Sequence, residues 1–199
     1  MSPNPRSVTS RKQPLSIEAW HPFEKNLADA LADLAQGEYL VVARENTGYF
    51  IQFAGQGLHG MRVEAVSNSY LGHSFQLADA AIAHLISLGW NPPTYIQSDV
   101  FIDPSDGSPN FFIDAACPVE HEELARVVVR TLREVHGTAD PSNLLYRAYS
   151  SEYTSIRFSQ LGVKRCDTLV ERCATILRGI EAELTLSVQL PVTMPMEVS

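Results

Sequence analysis

The stretch EYLVVARENTGYFIQFAGQGLHGMRVEAVSNSYL, Glu38 to Leu71, decides the fold class. Its apolar residues alternate with other residues in three short runs, which is the period of β-strands. The polar tetrad ENTG at 45–48 ends in a Gly able to take a positive φ, and more glycines follow at 55, 57 and 60. We therefore predict an antiparallel meander of three strands, over Tyr39–Arg44, Tyr49–Ala54 and Met61–Ser67.

The two faces of this predicted sheet differ in polarity. The face that we expect to lie under helices carries Tyr39, Val41, Tyr49, Ile51, Phe53, Met61 and Val63. The second face carries Leu40, Val42, Phe50, Gln52, Arg62, Glu64 and Val66. A face in contact with water alternates more cleanly than this, so we expect it to be covered at least part of the time. Two covers remain open, a bound partner and the chain's own C-terminal extension.

Helical patterns flank the meander. The first runs from Ile17 to Gln36, with Gly37 as its cap, and the second is capped by Ser74 and ends at Gly89. Its inward residues are Leu77, Ala81, Ile82, Leu85, Ile86 and Leu88. Two further strands, Tyr95–Ile102 and Asn110–Ala116, precede a third helix that carries Leu124, Val127, Val128, Leu132 and Val135 and ends before Gly137. The order α-β-β-β-α-β-β-α predicts an α+β fold, an antiparallel five-stranded sheet packed with helices.

The chain divides into three parts. We predict that residues 1–16 form a disordered arm and that residues 17–149 form a single α+β domain. Within this domain, Asp140 and Pro141 are expected to begin a short helix that carries LLYRAY. Residues 150–199 form a C-terminal extension with a linker, a helix over 164–183 and a terminal strand. In that strand Leu184, Leu186, Val188 and Leu190 alternate with polar residues, so it either joins its own sheet, pairs with a neighbouring subunit or remains disordered.

Composition excludes several functional classes. With 199 residues, 45% of them apolar, the chain can bury one core, and its net charge of -8 repels phosphate backbones and acidic membranes. Three cysteines without CxxC spacing favour a reducing compartment, and neither a signal-peptide core nor a membrane-spanning run is present in the sequence. We expect a cytoplasmic protein that binds neither nucleic acid nor membranes.

No catalytic or metal motif stands out. Cys117 and His121 have no third orienting group nearby, and the CysPro step and the start of a helix explain both. The six histidines form no HxxxH or HxH pair, and the aspartates around the turn at 103–109 lack the spacing of a calcium loop. We therefore expect a binding protein without catalytic activity or cofactor.

Single residues on the second face have two interpretations each. Arg62 and Glu64 either grip a bound peptide or are ordinary solvated charges, and Asn68 is either a contact or a turn residue that bonds its own backbone. Tyr70 offers an amphipathic surface suited to binding. Trp90 follows a helix end and is more typical of a core position.

The order of elements, together with six phrases, resembles the actinobacterial TY-Chap domains. The phrases are YLVV, YFIQFA, MRVEAVSNSYL, LGWNPP, NFF and VVRTLREVHG, and the resemblance as a whole covers about Trp20 to Tyr149. These domains belong to a superfamily likened to type III secretion chaperones and to YbjN-like proteins. The resemblance implies a chaperone-like, peptide-binding domain, often a homodimer, that holds a client segment in extended form.

We therefore expect a client protein or peptide, such as a segment of a secreted protein, on the second face. The expected peptide-binding residues are Leu40, Val42, Phe50, Gln52, Arg62, Glu64, Val66, Asn68 and Tyr70. The alternative is a stoichiometric regulatory or immunity-type protein with one folded partner. Selectivity separates the two, because a chaperone protects several unfolded segments whereas an immunity-type protein binds one target tightly.

Overall fold

The computed structural model describes residues 17–94 and 108–166. Its three helices are α1 (Ile17–Ala32), α2 (Asp79–Ser87) and α3 (His121–Arg130). Its strands are β1 (Glu38–Arg44), β2 (Phe50–Gly55), β3 (Met61–Ala65), β4 (Phe111–Ala115), β5 (Leu144–Ser150), β6 (Ser155–Ile156) and β7 (Lys164–Arg165). The predicted arm at 1–16, the strand at 95–102 and the chain from 167 onward lie outside the described residues.

The described strands form one sheet in the order β4-β3-β2-β1-β5-β6, and β7 pairs with β5. All neighbours are antiparallel except β5 and β7, which are parallel. The predicted α+β class with an antiparallel sheet is confirmed. The sheet has seven described strands instead of the predicted five, so the C-terminal part of the domain contributes more to it than expected.

The segment LLYRAY is a strand and not the predicted helix. Asp140 does cap a turn, since its carboxylate accepts a hydrogen bond from the backbone N–H of Ser142 at 2.9 Å, but that 3-10 turn covers only Pro141–Asn143. From Leu144 the chain pairs with β1 all along its length, in the middle of the sheet. Its buried residues alternate with half-buried ones up to Ala148, the period of a strand with one covered face.

The sheet also continues past the predicted boundary between residues 149 and 150. Strands β6 and β7 lie in the part predicted as a linker and as the start of a helix, and Phe158 and Leu161 between them are buried in the core. The hydroxyl of Tyr146 accepts a hydrogen bond from the backbone N–H of Phe158 at 3.2 Å. Residues 155–165 therefore form part of the same folded unit.

Three contacts show which side of the sheet the helices cover. A Cβ on Gly55 would lie 2.1 Å from the carbonyl oxygen of Ala35, just after α1. The ring of Tyr49 stacks on His136 with 4.7 Å between centroids, and Arg44 donates to the backbone carbonyl of His136. Residues on this helix face pack with the buried side of α1 and α3 in one core cluster, which includes Trp20, Phe23, Leu27, Leu31, Leu40, Val42, Ile51, Phe53, Val63, Leu124 and Val128.

The predicted face assignment is wrong for β1. Leu40 lies opposite Phe53 and Val42 opposite Ile51, so these even-numbered residues of β1 share the helix face with odd-numbered residues of β2. The cause is the turn, because Arg44 pairs with Tyr49 across four residues and this register exchanges the parity between the strands. Asn46, with a φ of 58°, takes the positive value that was predicted for Gly48. Tyr39 and Val41 accordingly lie on the second face.

The helix ends differ from prediction in detail. Helix α1 ends at Ala32, four residues early, although Gly37 does adopt a positive φ. Ser74 lies in a 3-10 turn and does not cap α2, whose N-cap is Ala78. Ile86, predicted to point inward, is 49% exposed. Helix α3 continues as a π-helical turn over Thr131–Val135.

Trp90 is a core residue, as its position after a helix suggested. It is 2% exposed, and its indole N–H donates to the hydroxyl of Thr131 at 2.8 Å. Gly89 before it takes a φ of 98°, which lets the chain leave α2 and approach the outer strand β4. This turn positions the site described next.

Candidate functional site

The second face of the sheet is largely buried. Val41 is 1% exposed, Gln52 2% and Glu64 7%, while Phe50 and Val66 are fully enclosed. The side-chain oxygen of Gln52 has no hydrogen-bond partner within the described part of the chain. Tyr39 stacks on Tyr149 with 5.3 Å between centroids, and the guanidinium of Arg147 lies over the Tyr149 ring. This face is therefore a packed layer of mixed polarity.

The nine residues predicted to bind peptide do not form one open surface. Leu40 and Val42 lie beneath the helices, fully buried. The other five from the strands, namely Phe50, Gln52, Arg62, Glu64 and Val66, do share the second face.

Most of the polar side chains among these nine already have partners within the protein. Arg62 forms two hydrogen bonds with Asp114 and lies over the ring of Phe112, and Glu64 accepts from Asn110 at 3.5 Å. Asn68 both donates to and accepts from the backbone of Leu77, so it fastens a distant loop instead of its own turn. Tyr70 is half-buried against the core.

Within the described part of the chain, a different surface is open to main-chain pairing, namely the outer edge of β4. Asn91 exchanges two backbone hydrogen bonds with Phe112, of 2.8 and 3.1 Å, and before Asn91 the chain turns back into α2. In an antiparallel strand, alternate residues direct their N–H and C=O groups to the same side. Asp114 and Ala116 therefore present theirs outward, and no residue in 17–94 or 108–166 pairs with them there.

An apolar groove of about 350 Å³ lies beside this open edge. Ile113 and Ala115 of β4 form its floor, Leu124 and Val127 of α3 form one wall, and Leu88 at the end of α2 closes it. Gly89, Ala116, Pro118, Glu120 and Glu123 complete the lining. The volume falls at the lower end of ligand-binding pockets. The groove thus extends the hydrophobic core sideways past β4, the strand at this end of the described sheet.

The first turn of α3 makes the rim of the groove acidic. Glu120 is exposed and has no ion-pair partner within the described residues, while Glu123 pairs with Arg126 on the same helix. Carboxylates are favourable here because the N-terminal end of a helix carries partial positive charge. Glu122 points to the other side of α3 and lines a separate polar groove with His21 and Lys25 of α1. The two sides of this turn thus carry similar charges on different surfaces.

Other chemistry is sparse in the described ranges. They contain no group of three His, Cys, Asp or Glu side chains placed to hold a metal ion, and none of their helices has the length and apolar character needed to cross a membrane. Cys117 is an exposed free thiol whose sulfur donates to the carbonyl of Gly57 at 3.5 Å. The pKa of His136 falls to about 3, first because of its burial and then because of the nearby charge of Arg44.

The groove was not found from the sequence because three separate segments build it. Leu88, Leu124 and Val127 were correctly expected on the inner sides of helices, but nothing in their spacing shows that β4 leaves Val127 half-covered. The available signal was Pro118, which lies three residues after the end of β4 at Ala115 and cannot donate to a ladder.

Comparison with protein families gives one match. A family model described as T3SS (YopN, CesT) and YbjN peptide-binding chaperone 3, or TY-Chap3, matches residues 15–150, more than half of the chain. The matched range contains the three helices, strands β1 to β5 and the whole lining of the groove. Neither the curated proteins nor the solved structures gave a match.

Proposed function

Since the chain belongs to the TY-Chap3 family of peptide-binding chaperones, we propose that it holds a client polypeptide segment at the outer edge of β4, without catalysing a reaction. The segment adds to the sheet as an extended strand. It pairs its main chain with Asp114 and Ala116 and places side chains in the neighbouring groove. Binding of this kind needs neither a cofactor nor ATP.

The observation that supports this proposal is an open strand edge beside an apolar groove. Main-chain hydrogen bonds to an exposed edge give affinity that does not depend on sequence, whereas pockets for alternate side chains add selectivity. The floor formed by Ile113 and Ala115 packs against the buried core. A client side chain that enters the groove therefore leaves water much as a core residue does.

The expected affinity is moderate. The open edge spans only Ile113 to Ala116, because Asn91 occupies it at Phe112 and Pro118 follows at the other end. A client that is ordered on binding also loses conformational entropy, which lowers its affinity for a given contact area. Dissociation constants on the order of micromolar are therefore expected, and they suit a protein that must release its client.

We extend the proposal to the oligomeric state, the cellular compartment and the kind of client. A homodimer is the state expected from the resemblance to chaperones, and the exposed thiol of Cys117 fits a reducing compartment such as the cytoplasm. A secreted protein before export is the proposed client. Light scattering after size-exclusion chromatography measures the oligomeric state.

The test replaces Val127 by Asp, which puts a charge in the wall of the groove. An immobilised, reduced and carboxamidomethylated lysozyme, which is a basic chain, serves as the unfolded client. We expect the Val127→Asp variant to bind it at least about tenfold more weakly than the unmodified protein, because the charge must lose water when the client covers it. Ile86→Asp is the matched control, since Ile86 is an exposed apolar residue outside the groove lining and should bind as before.

Hydrogen exchange then locates the contact. Client binding should slow exchange at the amides of Asp114 and Ala116 while leaving the polar groove around His21 unchanged. Equal binding by Val127→Asp and the unmodified protein, or no slowing at β4, would overturn the site. Binding to one folded partner but to no unfolded chain would favour the immunity-type alternative.

A further inference from the structure

Building on the proposed function, we infer that the groove selects a client by class. The preferred segment is extended and carries two apolar side chains two residues apart, flanked on the same side by Lys or Arg. The apolar pair enters the groove, and the cationic group meets Glu120 and Glu123.

The apolar spacing follows from strand geometry. Ile113 and Ala115 lie on the same side of β4, two residues apart, and both line the groove. A strand added at about 4.8 Å from β4 has the same alternation, so every second client side chain points to that side. Two such side chains meet Leu88, Leu124 and Val127, while the residues between them point toward the opposite side of the sheet.

The available length limits the segment to a short core. Asn91 closes the edge at Phe112, and the outward groups available beyond it are those of Asp114 and Ala116. Two inward residues fit over this stretch, and the next inward residue at either end extends beyond the floor of the groove. That position is where a long side chain reaches the rim.

The rim selects a positive charge. Among the residues described, Glu120 is exposed and without an ion-pair partner, and Glu123 forms an ion pair with Arg126 alone. The aliphatic stem of Lys or Arg can cover apolar lining while its charged end stays at the surface beside these carboxylates. The net charge of -8 adds long-range attraction for a cationic segment and repels an acidic one.

Two matched peptides test the charge preference. The sequence GSKTVTVTKSG places Lys, Val, Val and Lys on one side in either strand direction, and GSETVTVTESG differs only in replacing both Lys by Glu. By calorimetry at low salt we expect the Lys peptide to bind at least about tenfold more tightly, and raising the salt to 0.5 M should shrink this ratio because exposed charges are screened.

Variants locate the preference on the rim. The double variant Glu120→Gln, Glu123→Gln should weaken binding of the Lys peptide by about three- to tenfold and leave the Glu peptide no weaker. Glu122→Gln is the matched control, because it removes a carboxylate from the same helical turn on the side away from the groove. It should change neither affinity beyond the small effect of net charge.

The outcomes separate this inference from the proposed function. If both peptides bind equally and both lose affinity with Val127→Asp, the groove binds peptides but does not select charge, and only the inference fails. The inference also fails if Glu122→Gln matches the effect of the double variant. If neither peptide binds and the unfolded client does not bind either, the proposed function fails as well.

Discussion

Arg62 and Asp114 join β3 to the outer strand β4 through two parallel hydrogen bonds, 2.7 Å from Nε to Oδ1 and 2.9 Å from Nη2 to Oδ2. The two residues lie directly opposite each other, and the guanidinium also covers the ring of Phe112. This pair fixes the position of the strand whose other edge, beyond Phe112, has no main-chain partner among the described residues.

Replacing Asp114 by Asn should therefore loosen β4. The side chain of Asp114 is 49% exposed, so water screens the pair and we expect a loss of about 0.5–1 kcal/mol in the free energy of unfolding. Urea titration measures it. Asp29→Asn, which removes an exposed pair with Lys25 on α1, is the control and should leave the urea midpoint unchanged. A larger loss for Asp29→Asn than for Asp114→Asn would contradict this ranking.

Thr131→Val should destabilise the protein through Trp90. Its hydroxyl accepts the buried indole N–H, and valine leaves that donor without a partner at a cost of about 1–3 kcal/mol. Thr131→Ser keeps the hydroxyl, which also donates to the carbonyl of Val127, and should lose clearly less stability. Thermal unfolding followed by tryptophan fluorescence compares the two. A loss for Thr131→Ser as large as that for Thr131→Val would contradict this ranking, because serine keeps the hydroxyl and lacks only the methyl group.

Acidification should weaken the fold through His136. Its pKa is about 3 in the folded protein against an ordinary value of 6.5, so below pH 6.5 the unfolded chain binds a proton that the folded protein does not. Stability is therefore complete above pH 6.5 and falls toward pH 3, by about 2 kcal/mol between pH 6.5 and pH 5 for this group.

Urea midpoints across this range check the prediction, with His136→Phe as the comparison. Phenylalanine keeps a ring stacked on Tyr49 but has no proton to gain. The variant should lose less stability between pH 6.5 and pH 5 than the unmodified protein does. An identical pH profile in both proteins would assign the acid sensitivity to other groups.

Gly55→Ala should be among the most damaging small substitutions. The new methyl group would lie 2.1 Å from the carbonyl oxygen of Ala35, a backbone atom that can move away only if the segment after α1 shifts. We expect a loss of about 2 kcal/mol or more in unfolding free energy. Gly72→Ala is the control, because nothing lies within 4 Å of its Cβ position and its φ is -58°. If both variants were equally stable, the segment that follows α1 would not lie against β2.

A bound peptide should shield Cys117. This exposed thiol directly follows Ala116, the last open position of the edge. In a Cys166→Ser, Cys173→Ser background, saturating GSKTVTVTKSG should slow maleimide labelling of Cys117 at least about threefold, because the client strand covers the adjoining edge. A chain that retains only Cys166 should react at the same rate with or without peptide. An unchanged labelling rate of Cys117 would show that the peptide does not bind next to this end of β4.

The meander could be predicted from the sequence because its alternation and its turn residues agree. The sides of β1 could not, because they depend on which residues pair across the turn, and the register of Arg44 with Tyr49 exchanged Leu40 and Val42 for Tyr39 and Val41. The prediction of a helix for LLYRAY is wrong because a short apolar run fits the helical and the strand period equally well, and only its pairing with β1 decides between them.

The candidate site was harder to predict than the fold. The sequence pointed to the mixed second face as the binding surface, yet Gln52 and Val66 are enclosed there. The groove depends on how far α3 stands from β4, a distance that neither element encodes alone. The chaperone class could be predicted from the sequence because the phrases around Glu64 and Trp90 resemble those of the family that the chain belongs to.

The hydrogen bonds between Asn91 and Phe112 have a consequence for solubility. A long edge strand without a partner can pair with the same strand of other molecules and so lead to aggregation. Natural proteins shorten or block such edges. Here Asn91 blocks the edge of β4 at Phe112, so a short client segment can pair with the rest of the edge but a second β4 cannot pair along its whole length. The β4 edge can thus bind a client at high protein concentration without supporting polymerisation through pairing of β4 with β4.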